Sequence, residues 1–189
     1  MHHKHIVVIG TSAGGVRALK SLISAIPANF NAPIFIIMHV KAEPQSPSHL
    51  PELIRRYSQL PAFYPFDGQA IAAGHIYIAP PNLHMIISDN RIFLRNGPKI
   101  NHCRPAIDLL FASAAKFGSA TTGILLSGML NDGVSGLLAI KKNNGTTITQ
   151  SVNEAEFKDM PKNALKSAII DYSLPTKDIA ALLIKIVSV

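Results

Sequence analysis

The chain has 189 residues and a mass of 20.3 kDa; it is 48% hydrophobic and 15% charged, with a mean hydropathy of +0.24. These values suit one globular domain spanning 1–189 and exclude both a disordered chain and a small scaffold that needs disulfides or a metal to fold. Lys and Arg number 18 against 11 Asp and Glu, for a net charge of +7, but the basic residues are scattered, without a basic helix, zinc-finger spacing or any Trp, so nucleic-acid binding is not expected. No run approaches the ~18 apolar residues of a membrane span, and no cleavable leader opens the chain. A single cysteine, Cys103, rules out an internal disulfide and fits a reducing compartment. A cytoplasmic protein without membrane insertion is expected.

In chain order, the apolar run Ile6–Ile9 predicts a strand. It enters Gly10-Thr11-Ser12-Ala13-Gly14-Gly15, after which Val16, Leu19, Leu22, Ile23 and Ile26 repeat at helical spacing. The glycine-rich segment admits three readings. It is a Gly-x-Ser-x-Gly turn that exposes a serine nucleophile at a helix N-terminus able to stabilise an oxyanion; or a turn that cradles a phosphate; or a tight turn without chemistry. The dinucleotide pattern lacks its middle glycine, which is Ser12, and no acid closes the second strand. That strand, Pro33–Val40, ends in His39. A right-handed crossover sets it beside the first, so both tips face one crevice at the carboxyl edge of the sheet.

Pro44–Pro51 reads as a loop that leads into a short helix around Leu53–Gln59, and His75–Ala79 as a strand. Leu83–Ser88 and Arg91–Arg95 flank Asp89-Asn90, a two-residue turn that joins antiparallel strands. His75 and His84 read as surface residues. Ile107, Leu110, Phe111 and Ala114 mark a helix on which Asp108 is solvated or capping. The strand Thr121–Ser127 runs into Gly128-Met129-Leu130-Asn131-Asp132-Gly133, followed by a helix over Val134–Asn143. Asp132 either caps that helix or orients an imidazole. A strand at Thr146–Gln150 and a helix at Lys177–Val187 complete the pattern. The fold class is α/β: a mostly parallel sheet covered on both faces, with an antiparallel hairpin at one edge. Three strand ends then offer Ser12, His39 and Asp132. Ser127 lacks a comparable turn, Cys103 pairs with His102 by adjacency alone, and His2-His3-Lys4-His5 forms no preformed metal site.

These motifs together resemble the catalytic domain of the CheB family of chemotaxis receptor protein-glutamate methylesterases. Ile9 to Gly15 resembles I-G-A-S-T-G-G, and His39 falls where the family has Q-H-M. Asp67-Gly68 with Gly74 to Pro80 resembles D-G…G-x-x-Y-I-A-P, and Arg104 to Asp108 resembles R-P-S-V-D. Gly128 to Gly133 resembles G-M-G-x-D-G, and Gln150 to Pro161 resembles the stretch from Q-N-E-A to M-P. The resemblance implies a modified doubly wound fold and a serine hydrolase that demethylates glutamate methyl esters on receptor helices and deamidates glutamine in some members. It assigns Ser12 as nucleophile, His39 as general base and acid, and Asp132 as the partner of the imidazole, with the backbone N–H groups of Ala13 and Met129 as candidate oxyanion donors.

No cofactor and no metal are expected. The expected partners are methylated chemoreceptors or related sensory proteins; because the family's N-terminal receiver domain has no counterpart before Ile6, regulation is expected to be lost, unnecessary or supplied by a regulator on a separate chain. Lys41 and Arg104 are candidates for docking an acidic helix. The sequence departs from the family at Ala13, Met38, Val40, Cys103 and Leu130. The rival readings are a catalytically silent sensory module, a nucleotide-binding module and a hydrolase of small soluble esters.

Overall fold

The computed structural model describes residues 4–39, 49–167 and 170–188. Val40, Lys41, all but the last part of the Pro44–Pro51 segment, and His2 and His3 lie outside the described residues.

The first strand, β1 (Ile6–Thr11), is followed by α1 (Gly15–Ile23), β2 (Ile34–Met38) and α2 (Leu50–Arg55). Next come β3 (Ala62–Phe63), β4 (Gln69–Ala70), β5 (Ile76–Ile78), β6 (His84–Ser88) and β7 (Arg91–Arg95). The remainder is α3 (Ile107–Ala114), a 3-10 segment (Ala115–Ala120), β8 (Thr121–Leu125), α4 (Val134–Lys142), β9 (Thr146–Gln150), α5 (Asp159–Lys166), β10 (Tyr172–Leu174) and α6 (Thr176–Val187). Seven strands form a parallel sheet in the order β10-β9-β8-β1-β2-β5-β3. The strand order departs from sequence order on both sides of β1, as in a doubly wound sheet.

Both faces of β1 are buried, which accounts for an apolar run in place of an alternating one. Val7 and Ile9 pack with Leu19, Leu22 and Ile23 of α1 and Ile179 and Leu183 of α6. Ile6 and Val8 pack on the other side with α3, α4 and the hairpin, through residues such as Phe111, Leu137 and Met85. Each fully buried Ile, Leu or Val side chain stabilises the fold by roughly 1.5–3 kcal/mol.

The hairpin β6–β7 turns at Asp89 and Asn90, both with positive φ (49° and 59°), the conformation that a two-residue turn requires when it follows the twist of its strands. With β4 it makes a separate three-stranded antiparallel sheet, and α3 packs on β6. The short second helix lies a few residues earlier than expected, because Pro51 occupies its first turn, where no N–H is needed. The helix α5 was not expected from the sequence: it is strongly polar, and Pro161 sits in its first turn. His84 is 2% exposed, which corrects its reading as a surface residue. Its Nε2–H donates to the Pro98 carbonyl (2.9 Å) while Nδ1 accepts the Ala106 N–H (3.2 Å), so the ring braces the 98–106 segment.

Leu130 has φ 67° and is 65% exposed. A β-carbon in that left-handed region costs roughly 1–2 kcal/mol, and Leu130 regains little of it by burial. Leu130→Gly is therefore expected to raise unfolding stability by about 1 kcal/mol, read as a higher urea midpoint at unchanged m-value.

Candidate active site

Ser12 and His39 are neighbours by register. Thr11 pairs with Met38 across β1 and β2, the His39 N–H donates to the Thr11 carbonyl (3.0 Å), and each candidate residue is the next one beyond its strand. The Ser12 N–H donates to the Ser127 carbonyl (3.0 Å), and the Ser12 carbonyl accepts the first N–H of α1, from Gly15 (2.9 Å). The left-handed residue of this turn is Gly14 (φ 72°), not the serine. Ser12 is half-buried, and among the described residues its hydroxyl has no protein partner. Gly128 lies against it: a β-carbon there would stand 3.0 Å from the Ser12 Cβ and 1.9 Å from the Met160 sulfur.

The imidazole of His39 is held from one side. Nε2 lies 3.1 Å from the Pro105 carbonyl and 3.2 Å from Asp132 Oδ2. Both partners are acceptors, so Nε2 carries the proton and Nδ1 carries the lone pair. Nδ1 faces Cys103 Sγ at 3.7 Å, in a segment where Arg104–Pro105 is a cis peptide. Asn101 and His102, with φ 50° and 64°, form the turn that presents Cys103, closed by hydrogen bonds in both directions between Ile100 and Cys103.

Asp132 does not cap its own helix. Its carboxylate accepts the N–H groups of Ile107 (2.8 Å) and Asp108 (3.1 Å), at the start of α3. Asp108 reciprocates: its Oδ1 accepts the N–H groups of Gly133 (2.9 Å) and Gly136 (2.7 Å), at the start of α4. Asn101 Nδ2 donates to Asp108 (2.8 Å) and lies 3.4 Å from Asp132. Burial raises the Asp132 pKa, but the hydrogen bonds from His39, Ile107 and Asp108 outweigh it and hold the carboxyl below the usual range. Asp108 moves the other way: burial, then the charge of Asp132, raise its pKa against the opposing N–H groups of Gly136 and Gly133. Burial, helped by the same Asp132 charge, pushes the Cys103 thiol up, so it is protonated near neutral pH. Cys103 thus adjoins a histidine, but this is His39 and not its sequence neighbour His102.

A cavity of about 190 Å³ opens beside His39, lined by Leu50, Lys99, His102, Cys103 and Arg104 among others. Ser12 is not in its wall. That volume suits one amino-acid side chain and is below the ~300–1,000 Å³ of sites for drug-sized ligands. The Arg104 Nη1 donates to the Gly97 carbonyl (2.7 Å), so this side chain braces the loop as well as lining the cavity. Ser127 is buried: its hydroxyl donates to the Ala13 carbonyl (2.9 Å) and accepts the Phe157 N–H (2.9 Å), a structural role. Among the described residues neither the Ala13 nor the Met129 N–H donates to a protein acceptor.

Residues 7–183 match the family described as CheB methylesterase. The chain belongs to the CheB methylesterase family. The crystal structure of the Thermotoga maritima CheB methylesterase catalytic domain superposes with a TM-score of 0.89 at 33% identity, covering 96% of this chain and 98% of that one. The Thermotoga maritima protein-glutamate methylesterase/protein-glutamine glutaminase is 34% identical over 187 residues, 96% of this chain but 54% of that protein. A Leptospira interrogans protein is 33% identical over 182 residues and is matched over 93% of its own length. The CheB-type chain therefore spans about half of the first of these two relatives and nearly all of the second.

Sequence reasoning reached Ser12, His39 and Asp132 from their strand ends, and the fold brings the three to one edge of the sheet. It did not find Asn101 or the Pro105 carbonyl, and it read Asp108 as solvated or capping without the helix that Asp108 caps, which is α4. Asp108 lay within the matched Arg104–Asp108 motif, which was the available signal. Two outcomes follow for the carboxylate pair. Asp108→Ala removes two charge-assisted bonds to the N-terminus of α4 and should lower unfolding stability by about 1–3 kcal/mol in urea titrations. For Asp132, a depressed folded pKa means that its stabilisation is complete above the unfolded value of about 3.9 and disappears as pH falls through the lower folded value. The part of the stability gap between wild type and Asp132→Asn that comes from this carboxylate should shrink as pH falls below about 4, read in urea titrations across that range.

Proposed function

We propose that this chain hydrolyses γ-methyl esters of glutamate in polypeptides by a Ser12-His39-Asp132 mechanism. The observation that carries the reading is the tautomer of His39: Nε2–H is committed to Asp132 and Pro105, which leaves the basic lone pair on Nδ1; it faces the Cys103 thiol at 3.7 Å and has to be exchanged to the Ser12 hydroxyl, on the neighbouring strand end, for attack. Ser12 Oγ attacks the ester carbonyl as Nδ1 takes its proton. The Asp132 carboxylate stabilises the imidazolium that forms, and its depressed pKa keeps it ionised for that purpose. The unpaired N–H groups of Ala13 and Met129, the first beside the N-terminus of α1, are the donors for the oxyanion. The tetrahedral intermediate collapses with loss of methanol, which takes the proton from His39. Water then repeats the attack on the acyl-enzyme and leaves a glutamate carboxylate. A glutamine side chain enters the same sequence with ammonia as the leaving group.

A protein substrate fits the surroundings of Ser12. Met129, Leu130 and Phe157 are exposed large hydrophobic residues in the two loops that border the nucleophile turn, an apolar rim of the kind that marks a protein contact. The relatives are named protein-glutamate methylesterase/protein-glutamine glutaminase and the family is CheB methylesterase, which supports a receptor partner in general terms; we assign the cytoplasmic helices of a methylated chemoreceptor, or of a related sensory protein, as that partner. No helix among the described residues is long and apolar enough to cross a membrane. The small cavity beside His39 does not favour a nucleotide.

Methanol release from methylated chemoreceptor membranes tests the reading. Wild type should release methanol, Ser12→Ala should be slower by at least about a thousandfold, and Asp132→Asn by roughly a hundredfold or more. Equal release from wild type and Ser12→Ala would overturn the nucleophile; no release from folded wild type would favour a silent module.

A further inference from the structure

The residue that most alters the site is Cys103, whose thiol stands 3.7 Å from the Nδ1 of His39. His39, Cys103 and Asp132 offer ligand atoms that all lie within 4.8 Å of one another. A tetrahedral zinc ion with Zn–N of about 2.0–2.1 Å and Zn–S of about 2.3 Å spans roughly 3.6 Å between its nitrogen and its sulfur. The observed separation of 3.7 Å matches that span. The tautomer is also the right one. Nε2–H points at a carboxylate, the arrangement that stands behind most metal-bound histidines and raises the ring's basicity, and Nδ1 is left with its lone pair toward the thiol. His39 and Cys103 both line the cavity beside them, which gives an ion a route from solvent.

We propose that His39 Nδ1 and Cys103 Sγ form an inhibitory site for a thiophilic divalent ion of the zinc type, with Asp132 as the carboxylate behind the histidine. Binding releases the thiol proton to solvent and forms one metal–sulfur and one metal–nitrogen bond. It is reversible, because two protein ligands hold the ion, whereas a structural site uses four. Inhibition follows from the catalytic reading of His39, since the ion takes the lone pair that Ser12 needs. The binding itself does not depend on that reading. The His2-His3-Lys4-His5 segment is a second place where zinc can collect, and the test must separate the two.

Two measurements on the full chain do so. In the first, cobalt(II) is added to wild type and to Cys103→Ala, and the near-ultraviolet thiolate-to-cobalt charge-transfer absorption is followed. Wild type should develop the band with one equivalent and Cys103→Ala should not, whereas terminal histidines give no sulfur band in either. In the second, methanol release is measured across buffered free zinc, each variant being scaled to its own zinc-free rate. Cys103→Ala and Cys103→Ser should need at least about tenfold more zinc for half-inhibition, and a chelator should restore wild type. Absence of the band from wild type overturns the site, as does equal zinc sensitivity of wild type and both variants. If the chain proves to have no esterase activity, the cobalt band still decides the binding, so the two failures remain distinct.

Discussion

A carboxylate with only 6% of its side chain exposed must find hydrogen bonds or lose its charge, and the way Asp132 meets that requirement organises this end of the molecule. Its acceptors are used by two N–H groups of α3 and by the His39 ring. Asp108, in the first turn of that same helix, closes the arrangement by accepting two N–H groups at the start of α4. Each helix is thus capped from the other side of the contact, and neither by its own preceding loop. Burial, and after it the repulsion between two carboxylates this close, raise the Asp108 pKa. Two helix N-termini, whose dipoles and unpaired N–H groups favour negative charge, offset that repulsion. The geometry of His39 is consequently tied to the packing of α3 on α4 rather than to a flexible side-chain contact.

The opposite half of the site depends on the parallel sheet. β1 and β2 are buried on both faces, so a register slip of one residue would exchange the two apolar faces and disrupt the packing on each. The pairing of Thr11 with Met38 is what puts Ser12 and His39 side by side. A stiff sheet sets the spacing of serine and histidine, and a pair of capped helices sets the orientation of the ring. Between them runs the 97–105 segment, braced by His84 and Arg104, which delivers both the Pro105 carbonyl and the Cys103 thiol to the imidazole. Chemistry that differs from the family's pattern at Cys103 is therefore introduced through a loop without disturbing either support.

Much of this was legible from residue order. Thr146–Gln150 has the same bounds in sequence and structure, as does the core of the α3 pattern, because an apolar run or a three-and-four spacing reports burial directly. The hairpin was legible because Asp and Asn tolerate the positive φ that its turn demands. The strands β3 and β4 span two residues each and β10 three, too short for any periodicity. His84 was misjudged because nothing local distinguishes a buried histidine from an exposed one; its partners Pro98 and Ala106 lie 14 and 22 residues away.

By itself the sequence determined the layer architecture, the three strand ends that carry Ser12, His39 and Asp132, and through its motifs the CheB family. All of these rest on short-range order: apolar runs, glycine turns and spacing along the chain. Only the tertiary structure decided which nitrogen of His39 holds the proton, that Asp132 caps a helix other than its own, that Asp108 answers it, and that Cys103 meets His39 and not His102. Those outcomes depend on the directions of hydrogen-bond donors and acceptors 24 to 66 residues apart, and no local pattern in a chain encodes the direction of a distant group.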